Sequence, residues 1–367
     1  MQSKKKTAKV FLIGIYIFII VIYLLTCLIP YLNPGQFWFI ALLGIGFPIL
    51  LLLMLICMVI CAVLRSRWTI LAVAVLLISF QQISVVFAFH PASQFNTVKN
   101  PDALRVLSWN VSSWKEKYEG TGGMQNSDIR NLMIDAVQMQ DADVLCFQEY
   151  FESFAPELFP SNISALQKMG FNYYYFTPIL KTVNEKLQSG LCIFSKYPIL
   201  DSNFYNYNDG GNSEGYSYVD INYNNSGLIR IYNSHLQSPR LAGKEYNPLE
   251  EIEDSRTIVG KIKRGYSLRY KQAEILKQSI DTSKYPVIVC GDFNDVPNSY
   301  SYFKIKTGLQ DAFLKNGFGL GQTFQFISPT LRIDYIMADK RFKIEQFSKL
   351  DYKYSDHYAQ IADVSPK

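Results

Sequence analysis

The sequence predicts an α+β domain in which two packed β-sheets carry helices on their outer faces, preceded by three transmembrane helices. Two observations support this fold class. The first hundred residues contain three long uncharged apolar stretches, and the rest contains nine strand-like runs with two helical patterns among them. Many strands with few interposed helices favour sheets that pack on each other.

The membrane domain is predicted at 1–90. A single N-terminal apolar stretch would also fit a signal peptide, but three in succession favour a multi-pass protein of the cell membrane. Four lysines before the first stretch and two arginines after the second predict a cytoplasmic N-terminus. The residues after 90 would then lie outside the cytoplasm, on the periplasmic side in a Gram-negative cell. Each stretch is long enough to cross a hydrocarbon core of ~30 Å, and the stretches are 10–29, 37–64 and 68–89.

Charge is distributed unevenly along the chain. All 31 acidic residues follow position 100, beside 29 of the 36 basic residues, so residues 101–367, which make up most of the second part of the chain, have a net charge of −2. The pI of 8.7 therefore reflects the first hundred residues alone. A nuclease normally needs Lys and Arg contacts to phosphates, and this balance does not indicate such a surface.

The second part is predicted to consist of a linker at 91–103 and a domain at 104–365. Helices are predicted at 127–140, where the apolar side chains share one face, and more weakly at 267–280. The segment 237–267 has no clear period, which leaves a lid and a surface loop as alternatives. Runs rich in Val, Ile, Tyr and Phe predict the strands, which are 104–111, 143–150, 171–177, 190–196, 216–223, 227–236, 285–293, 332–338 and 357–364.

The cysteines of the second part are predicted to be buried apolar side chains. Cys146, Cys192 and Cys290 each lie inside a strand-like run. Their odd number and their spacing suit neither a disulfide framework nor a zinc site.

Polar residues recur at the ends of the predicted strands. Taken singly, an Asp there is usually a turn former and a His is usually a core residue. Two histidines with several carboxylates and no thiolate instead suit a hard divalent cation combined with acid–base chemistry. The candidate residues are Asn110, Glu149, His235, Asp292, Asn294, Asp334, Asp356 and His357.

The order of these motifs resembles the endonuclease/exonuclease/phosphatase superfamily. The motifs are "LSWN", "CFQE", "NSHL", "GDFND", "RIDYI" and "YSDH", and the resemblance covers about 101–365. The superfamily includes deoxyribonucleases, apurinic endonucleases, inositol polyphosphate phosphatases and neutral sphingomyelinases. The resemblance implies a four-layered α/β/β/α sandwich with the site at one edge of the two sheets.

The resemblance also implies a role for each residue. Glu149, helped by Asn110, resembles a Mg²⁺ ligand pair, with Mn²⁺ as an alternative ion, and Asp356 resembles a further carboxylate beside the metal. His357 would contact the scissile phosphate or handle its proton, with Asp334 orienting the ring. Asp292 would position the attacking water, Asn294 would hold a phosphate oxygen, and His235 would stabilise the developing charge.

These inferences favour a membrane-tethered, Mg²⁺-dependent phosphodiesterase that acts outside the cytoplasm on a lipid head group. Apurinic endonucleases usually have Tyr where this chain has His235, which argues against DNA repair. The alternatives are an extracytoplasmic nuclease and a catalytically inactive binding scaffold. A transporter is disfavoured because the apolar stretches contain no ionisable residue to mark a pathway. The expected partners are the lipid bilayer and a phosphoester substrate, and the sequence leaves the oligomeric state open.

Overall fold

The computed structural model describes residues 2–90, 95–119, 123–125, 128–182, 185–207, 214–223, 227–238, 258–326, 328 and 330–367. Ten α-helices lie within these residues: α1 Gln2–Leu28, α2 Trp38–Leu43, α3 Phe47–Val63, α4 Trp68–Ile78, α5 Phe80–Val86, α6 Asp128–Gln138, α7 Asn162–Gln167, α8 Ile258–Asp281, α9 Tyr300–Lys306 and α10 Ala312–Asn316. The strands of the same residues are β1 Ala88–Phe89, β2 Leu104–Asn110, β3 Lys117–Glu119, β4 Gly123–Gln125, β5 Val144–Ser153, β6 Tyr173–Thr182, β7 Leu187–Ser195, β8 Ile199–Asn206, β9 Gly215–Asn222, β10 Leu228–His235, β11 Val287–Asp292, β12 Leu309–Asp311, β13 Phe318–Gly319, β14 Asp334–Asp339, β15 Phe342–Leu350 and β16 Ala359–Pro366.

One apolar helical stretch, Val10–Tyr31, is long enough by itself to cross a membrane among the described residues. The prediction of three continuous spans is wrong for the other two stretches. The second divides into α2 and α3, because Gly44 and Gly46 interrupt it and a proline begins α3 and cannot continue a preceding helix. The third bends by 62° between α4 and α5, at Ser79, whose hydroxyl lies 2.7 Å from that of Tyr23 on α1.

The first large sheet has the strand order β15-β16-β2-β5-β7-β6, and the second has the order β12-β14-β11-β10-β9-β8. Both sheets are mixed, because β2 pairs in parallel with β5 and β10 pairs in parallel with β11, while the remaining neighbours are antiparallel. The two parallel pairs lie in the middle of their sheets, where both faces are covered.

A shared apolar core joins the two sheets face to face. Val106 and Cys146 of the first sheet belong to the same buried cluster as Ile231, Ile288 and Cys290 of the second. Helix α6 packs on the outer face of the first sheet, and α8 packs on the outer face of the second. The four-layered α/β/β/α arrangement therefore follows from burial on both sides of each sheet.

All nine predicted strands are present, and two further long strands were not predicted. These are β8 and β15, which lie at the edges of their sheets and carry polar side chains such as those of "DSN" and "EQ". Edge strands need only one covered face, so their apolar pattern is weak. Helix α8 is longer than predicted, since it begins at Ile258, and 239–257 of the predicted lid or loop lie outside the described residues.

The apolar helices contact the α/β domain through polar groups as well as through packing. Asn298 Nδ2 donates a hydrogen bond to the carbonyl of Thr26 near the end of α1, at 3.2 Å. Arg332 Nη2 donates to the carbonyl of Val85 in α5, at 2.7 Å. A cation at the C-terminal end of a helix is favourable because the helix dipole is negative there. The α/β domain is thus joined to the ends of two apolar helices.

Candidate active site

Three candidate residues lie side by side where the neighbouring strands β10, β11 and β14 of the second sheet end or begin. His235 of β10 is in register with Asp292 of β11, and Asp292 is in register with Asp334 of β14. The sequence placed Asp334 at the end of a strand, whereas it begins β14. It still reaches the same edge because β14 runs antiparallel to β11.

The glycine before Asp292 is required by the close approach of two strands. A Cβ atom on Gly291 would lie 2.0 Å from the carbonyl oxygen of Ser234, and the φ of Gly291 is +151°. A larger residue would therefore push β11 away from β10. This explains why the strand that delivers Asp292 ends in Gly-Asp.

Glu149 reaches the site through an irregularity in β5. The pairing of β5 with β7 shifts register between Phe147 and Tyr150, and Glu149 has a φ of +50°. Such a bulge turns a side chain away from its regular direction. Asn110 Nδ2, at the end of the neighbouring strand β2, then donates to Glu149 Oε1 at 3.1 Å and also to Asp292 Oδ2 at 3.1 Å.

The sequence also predicted Asp356 and His357 at the C-terminal end of a strand, whereas they lie on the segment that leads into β16. Ser355 holds this segment, because its hydroxyl donates to the carbonyl of Asn110 at 2.7 Å and accepts from the amide of His357 at 3.2 Å. Trp109 Nε1 donates to the carbonyl of His357 at 2.9 Å. The backbone of His357 is therefore fixed from both sides.

His357 and Asp334 form a buried ion pair. Nδ1 of His357 lies 3.0 and 2.9 Å from the two carboxylate oxygens of Asp334. Burial opposes the charged ring, but the carboxylates of Asp334, Asp292 and Asp356 outweigh it and raise the pKa of His357 to about 10. Burial raises the pKa of Asp334 to about 6, against the charge of His357. The carboxylate contacts therefore favour the protonated form of the His357 ring.

Asp292 lies between the two histidines without a direct hydrogen bond to either. Its Oδ2 is 3.6 Å from Nε2 of His357 and 3.7 Å from Nε2 of His235. Its Oδ1 accepts from the amide of Asn294 at 2.8 Å, and Asn294 Nδ2 donates to the carbonyl of Leu236 at 2.9 Å. The structure therefore brings all eight candidate residues to one place.

Left-handed backbone conformations are concentrated at this site. Of the nine non-glycine residues with positive φ in the described part of the chain, six belong to the site or follow it directly. Each costs roughly 1–2 kcal/mol for an L-residue, and such strain persists only where its surroundings hold it. The six are Ser112, Ser113, Trp114, Lys115, Glu149 and Asn294.

Two groups of side chains at the site could hold a cation. Asp292, Asp334 and His357 offer ligand atoms within 4.8 Å of one another. A cation there would have to displace the Asp334–His357 pair. Glu149 and Asp356 are more accessible, with side-chain exposures of 44 % and 32 %, and both offer the carboxylate oxygens that Mg²⁺ binds. This open, oxygen-rich side fits a hard divalent cation.

The side-chain oxygen of Asn110, which a metal ligand would direct at the cation, is used in a backbone hydrogen bond. Its Oδ1 accepts from the amide of Ser112 at 3.1 Å, and its amino group faces Glu149 and Asp292. In this structure Asn110 positions Glu149, and its role as a metal ligand stays a prediction. Burial opposes the ionised form of Asp356, but the charges of His357 and Lys115 and nearby hydrogen bonds together outweigh it and lower the pKa of Asp356.

Comparison with known proteins agrees with this geometry. A sequence model of the Endonuclease/Exonuclease/phosphatase family matches residues 107–357. The chain belongs to that family. Members of the endonuclease/exonuclease/phosphatase family are metal-dependent phosphoesterases and nucleases. A second sequence model, described as a domain of unknown function (DUF8431), matches residues 8–86.

Individual relatives are distant. A sphingomyelinase of Dictyostelium discoideum is 22% identical over 264 residues, which are 65% of this chain and 53% of the relative, so the chain spans about half of that protein. The human Nocturnin catalytic domain with bound sulfate has a TM-score of 0.53 at 18% identity, covering 72% of this chain and 94% of that one. A family protein from Beutenbergia cavernae has a TM-score of 0.51 at 16% identity, covering 72% of each chain. These structures support the fold.

Within the endonuclease/exonuclease/phosphatase fold, further residues hold the site that the sequence did not single out. The Thr323 hydroxyl accepts from the amide of Asp334 at 3.1 Å, and the Phe324 ring packs edge-on against His357 with 5.0 Å between centroids. Gln360 Nε2 donates to the carbonyl of Asp334 at 2.7 Å. Nothing in the sequence around Thr323 marks it, because its role depends on a loop contact 11 residues away.

Proposed function

We propose that this protein is a membrane-tethered, Mg²⁺-dependent phosphodiesterase that acts outside the cytoplasm on a lipid head group. The observation that supports a lipid substrate is the position of the segment after Asp292. Asn298, six residues along the chain, donates to the carbonyl of Thr26 on the apolar helix α1. A lipid held in the same bilayer would therefore need to travel little to reach this edge of the sheets.

Two further facts support this substrate class, and a third supports a location outside the cytoplasm. The net charge of −2 after residue 100 gives no excess of cations for a nucleic-acid backbone. The distant relative from Dictyostelium discoideum is a sphingomyelinase. The helix Val10–Tyr31, preceded by four lysines, would place the C-terminal domain outside the cytoplasm.

The residues divide the chemistry between them. A Mg²⁺ ion held by Glu149 and Asp356 would neutralise charge on the phosphoryl oxygens. Asp292, close to both histidines and screened from solvent, positions the attacking water and accepts its proton. The protonated His357 donates to the phosphate or to the leaving oxygen, and Asp334 keeps its ring oriented. His235 and Asn294 stabilise the charge that develops on the other side.

An activity screen of the full chain in lipid vesicles tests this function. Vesicles containing sphingomyelin or phosphatidylinositol should be hydrolysed with Mg²⁺, and addition of a chelator should stop the reaction. Plasmid DNA and bis-p-nitrophenyl phosphate serve as comparison substrates. Faster cleavage of DNA than of every lipid would instead establish the nuclease.

The orientation is tested separately with reporters fused after Lys367. We expect an alkaline phosphatase reporter, which is active outside the cytoplasm, to be functional. A fluorescent or enzymatic reporter that functions only in the cytoplasm should be silent at the same position. The reverse pattern would contradict an extracytoplasmic active site.

A further inference from the structure

The segment that follows Asn110 has a backbone that its sequence does not explain. Ser112, Ser113, Trp114 and Lys115 have φ values of +45°, +55°, +56° and +57°, so four consecutive non-glycine residues are left-handed. L-residues adopt this conformation at a cost, and a run of four is rare. A glycine at any of these positions would relieve part of the strain.

The turn is held in place on both sides of Lys115. The Trp114 side chain is fully buried, and its ring packs edge-on against Phe147 and Tyr150 with centroid distances of 5.2 and 5.9 Å. Glu116, two residues after Trp114, is also buried, where it accepts from Asn162 Nδ2 at 3.2 Å and lies 3.6 Å from Arg130. Lys115 lies between these two anchors and has little freedom to move its backbone.

This arrangement delivers the Lys115 ammonium to the open side of the active site. Nζ lies 2.9 Å from the Ser112 hydroxyl and 3.5 Å from Oδ1 of Asp356. The side chain is 29 % exposed. Within the described residues, the Lys115–Asp356 pair is the one ion pair in which a lysine or arginine contacts a candidate site residue. An exposed pair of this kind contributes little stability by itself, so it does not account for the strained turn.

We propose that Lys115 is a substrate-binding residue that contacts a non-bridging oxygen of the substrate phosphate. The inference rests on the proposed phosphodiesterase function and adds a recognition element to it. The left-handed turn holds a cation beside Asp356, the residue before His357, so the phosphate would be contacted by Lys115 as well as by His357. An ammonium has three donors, so Lys115 can contact a phosphate oxygen in addition to Ser112 and Asp356.

The test compares Lys115→Met and Lys115→Arg in the full-length protein in vesicles. Hydrolysis of bis-p-nitrophenyl phosphate gives KM and kcat, and calorimetry with inorganic phosphate in the presence of Mg²⁺ gives a binding constant that does not depend on turnover. Lys115→Met should raise KM and weaken phosphate binding by about 10- to 100-fold, as for loss of a charged hydrogen bond. Lys115→Arg should stay within about threefold of wild type because it keeps the charge.

Two further variants complete the test. Lys181→Met is the matched control, since Lys181 is exposed and pairs with Glu185, which is not a candidate site residue, and it should change neither constant. Ser112→Ala removes the hydroxyl that holds Nζ and should raise KM by about two- to tenfold. It also serves as the probe if Lys115→Met does not fold.

The outcomes separate substrate binding from a structural role. Unchanged KM and phosphate affinity in a folded Lys115→Met protein would overturn the proposal. A change confined to the Mg²⁺ concentration needed for activity would also overturn it, because Lys115 would then act only on Asp356. If the wild type binds phosphate through Lys115 but hydrolyses no phosphodiester, the proposed function fails and the binding site stands. A wild type that binds no phosphate removes the binding site.

Discussion

The two sides of the active site differ in their access to water. The buried side consists of His235, Asp292, Asp334 and His357, whose side chains are at most 11 % exposed. The open side consists of Glu149 and Asp356, whose side chains are 44 % and 32 % exposed. Electrostatic interactions are stronger where water is excluded, so the buried side suits proton transfer. A cation and a substrate must arrive from solvent, which suits the open side.

Substitutions on the two sides should therefore impair different kinetic properties of the enzyme. Loss of a buried group should reduce kcat with little change in the metal requirement. Loss of an open carboxylate should raise the metal concentration that is needed for activity.

The largest effect is expected for His357→Ala. It removes the protonated ring beside Asp292, so kcat should fall by ~10²–10⁴-fold, as for loss of a general acid–base group. The fold should persist, because Asp334 can take up a proton rather than remain an unpaired buried charge. Steady-state kinetics and thermal unfolding are the measurements.

His90→Ala is the matched control for that variant, because His90 is the one histidine outside the site and is exposed. It should behave as wild type. Full turnover in His357→Ala would mean that the buried side does not perform the proton transfer.

Asp334→Asn should have the next largest effect on turnover. The substitution leaves His357 without its carboxylate partner, and kcat should fall by ~10–10³-fold. Because Asp334 acts through the ring of His357, the double variant with His357→Ala should be clearly less than additive. Losses that multiply independently would show that Asp334 does not orient His357.

Glu149→Gln probes the open side. The Mg²⁺ concentration for half-maximal activity should rise by at least ~10–100-fold, the range found when even a supporting residue of a metal site is removed. The melting temperature in the absence of metal should not fall, since the side chain is half-exposed. Glu157→Gln is the control, because Glu157 is exposed and pairs with Lys186. An unchanged Mg²⁺ requirement in Glu149→Gln would exclude it as a ligand.

The smallest effect is expected for Asp356→Asn. The amide keeps one oxygen but loses the charge, and Lys115 at 3.5 Å already offsets part of that charge. The Mg²⁺ requirement should rise by ~3–10-fold, with kcat nearly unchanged at saturating metal. A fall in kcat as deep as that of His357→Ala would place Asp356 with the proton-transfer residues and remove the distinction between the two sides.

The sequence by itself determined the strands with strong apolar patterns and the eight candidate residues. Runs such as "VIVCGD" read as buried strands because both of their faces are covered. Helix α6 followed from one apolar face. The motif order was sufficient for the family, because hydrolysis of a phosphoester needs hard oxygen ligands and acid–base groups, and the motifs supply them in a fixed order along the chain.

The tertiary structure decided what depends on distant contacts. The edge strands β8 and β15 exist because their neighbours offer hydrogen bonds, although their own pattern is weak. Apolar length predicted three membrane helices, but local glycines, a proline and the Ser79 contact divided two of them. The direction of the Glu149 side chain and the position of Lys115 depend on left-handed backbone that only surrounding burial stabilises. Sequence patterns record which groups a chain carries, whereas strain and register are set by the packing of segments far apart in the chain.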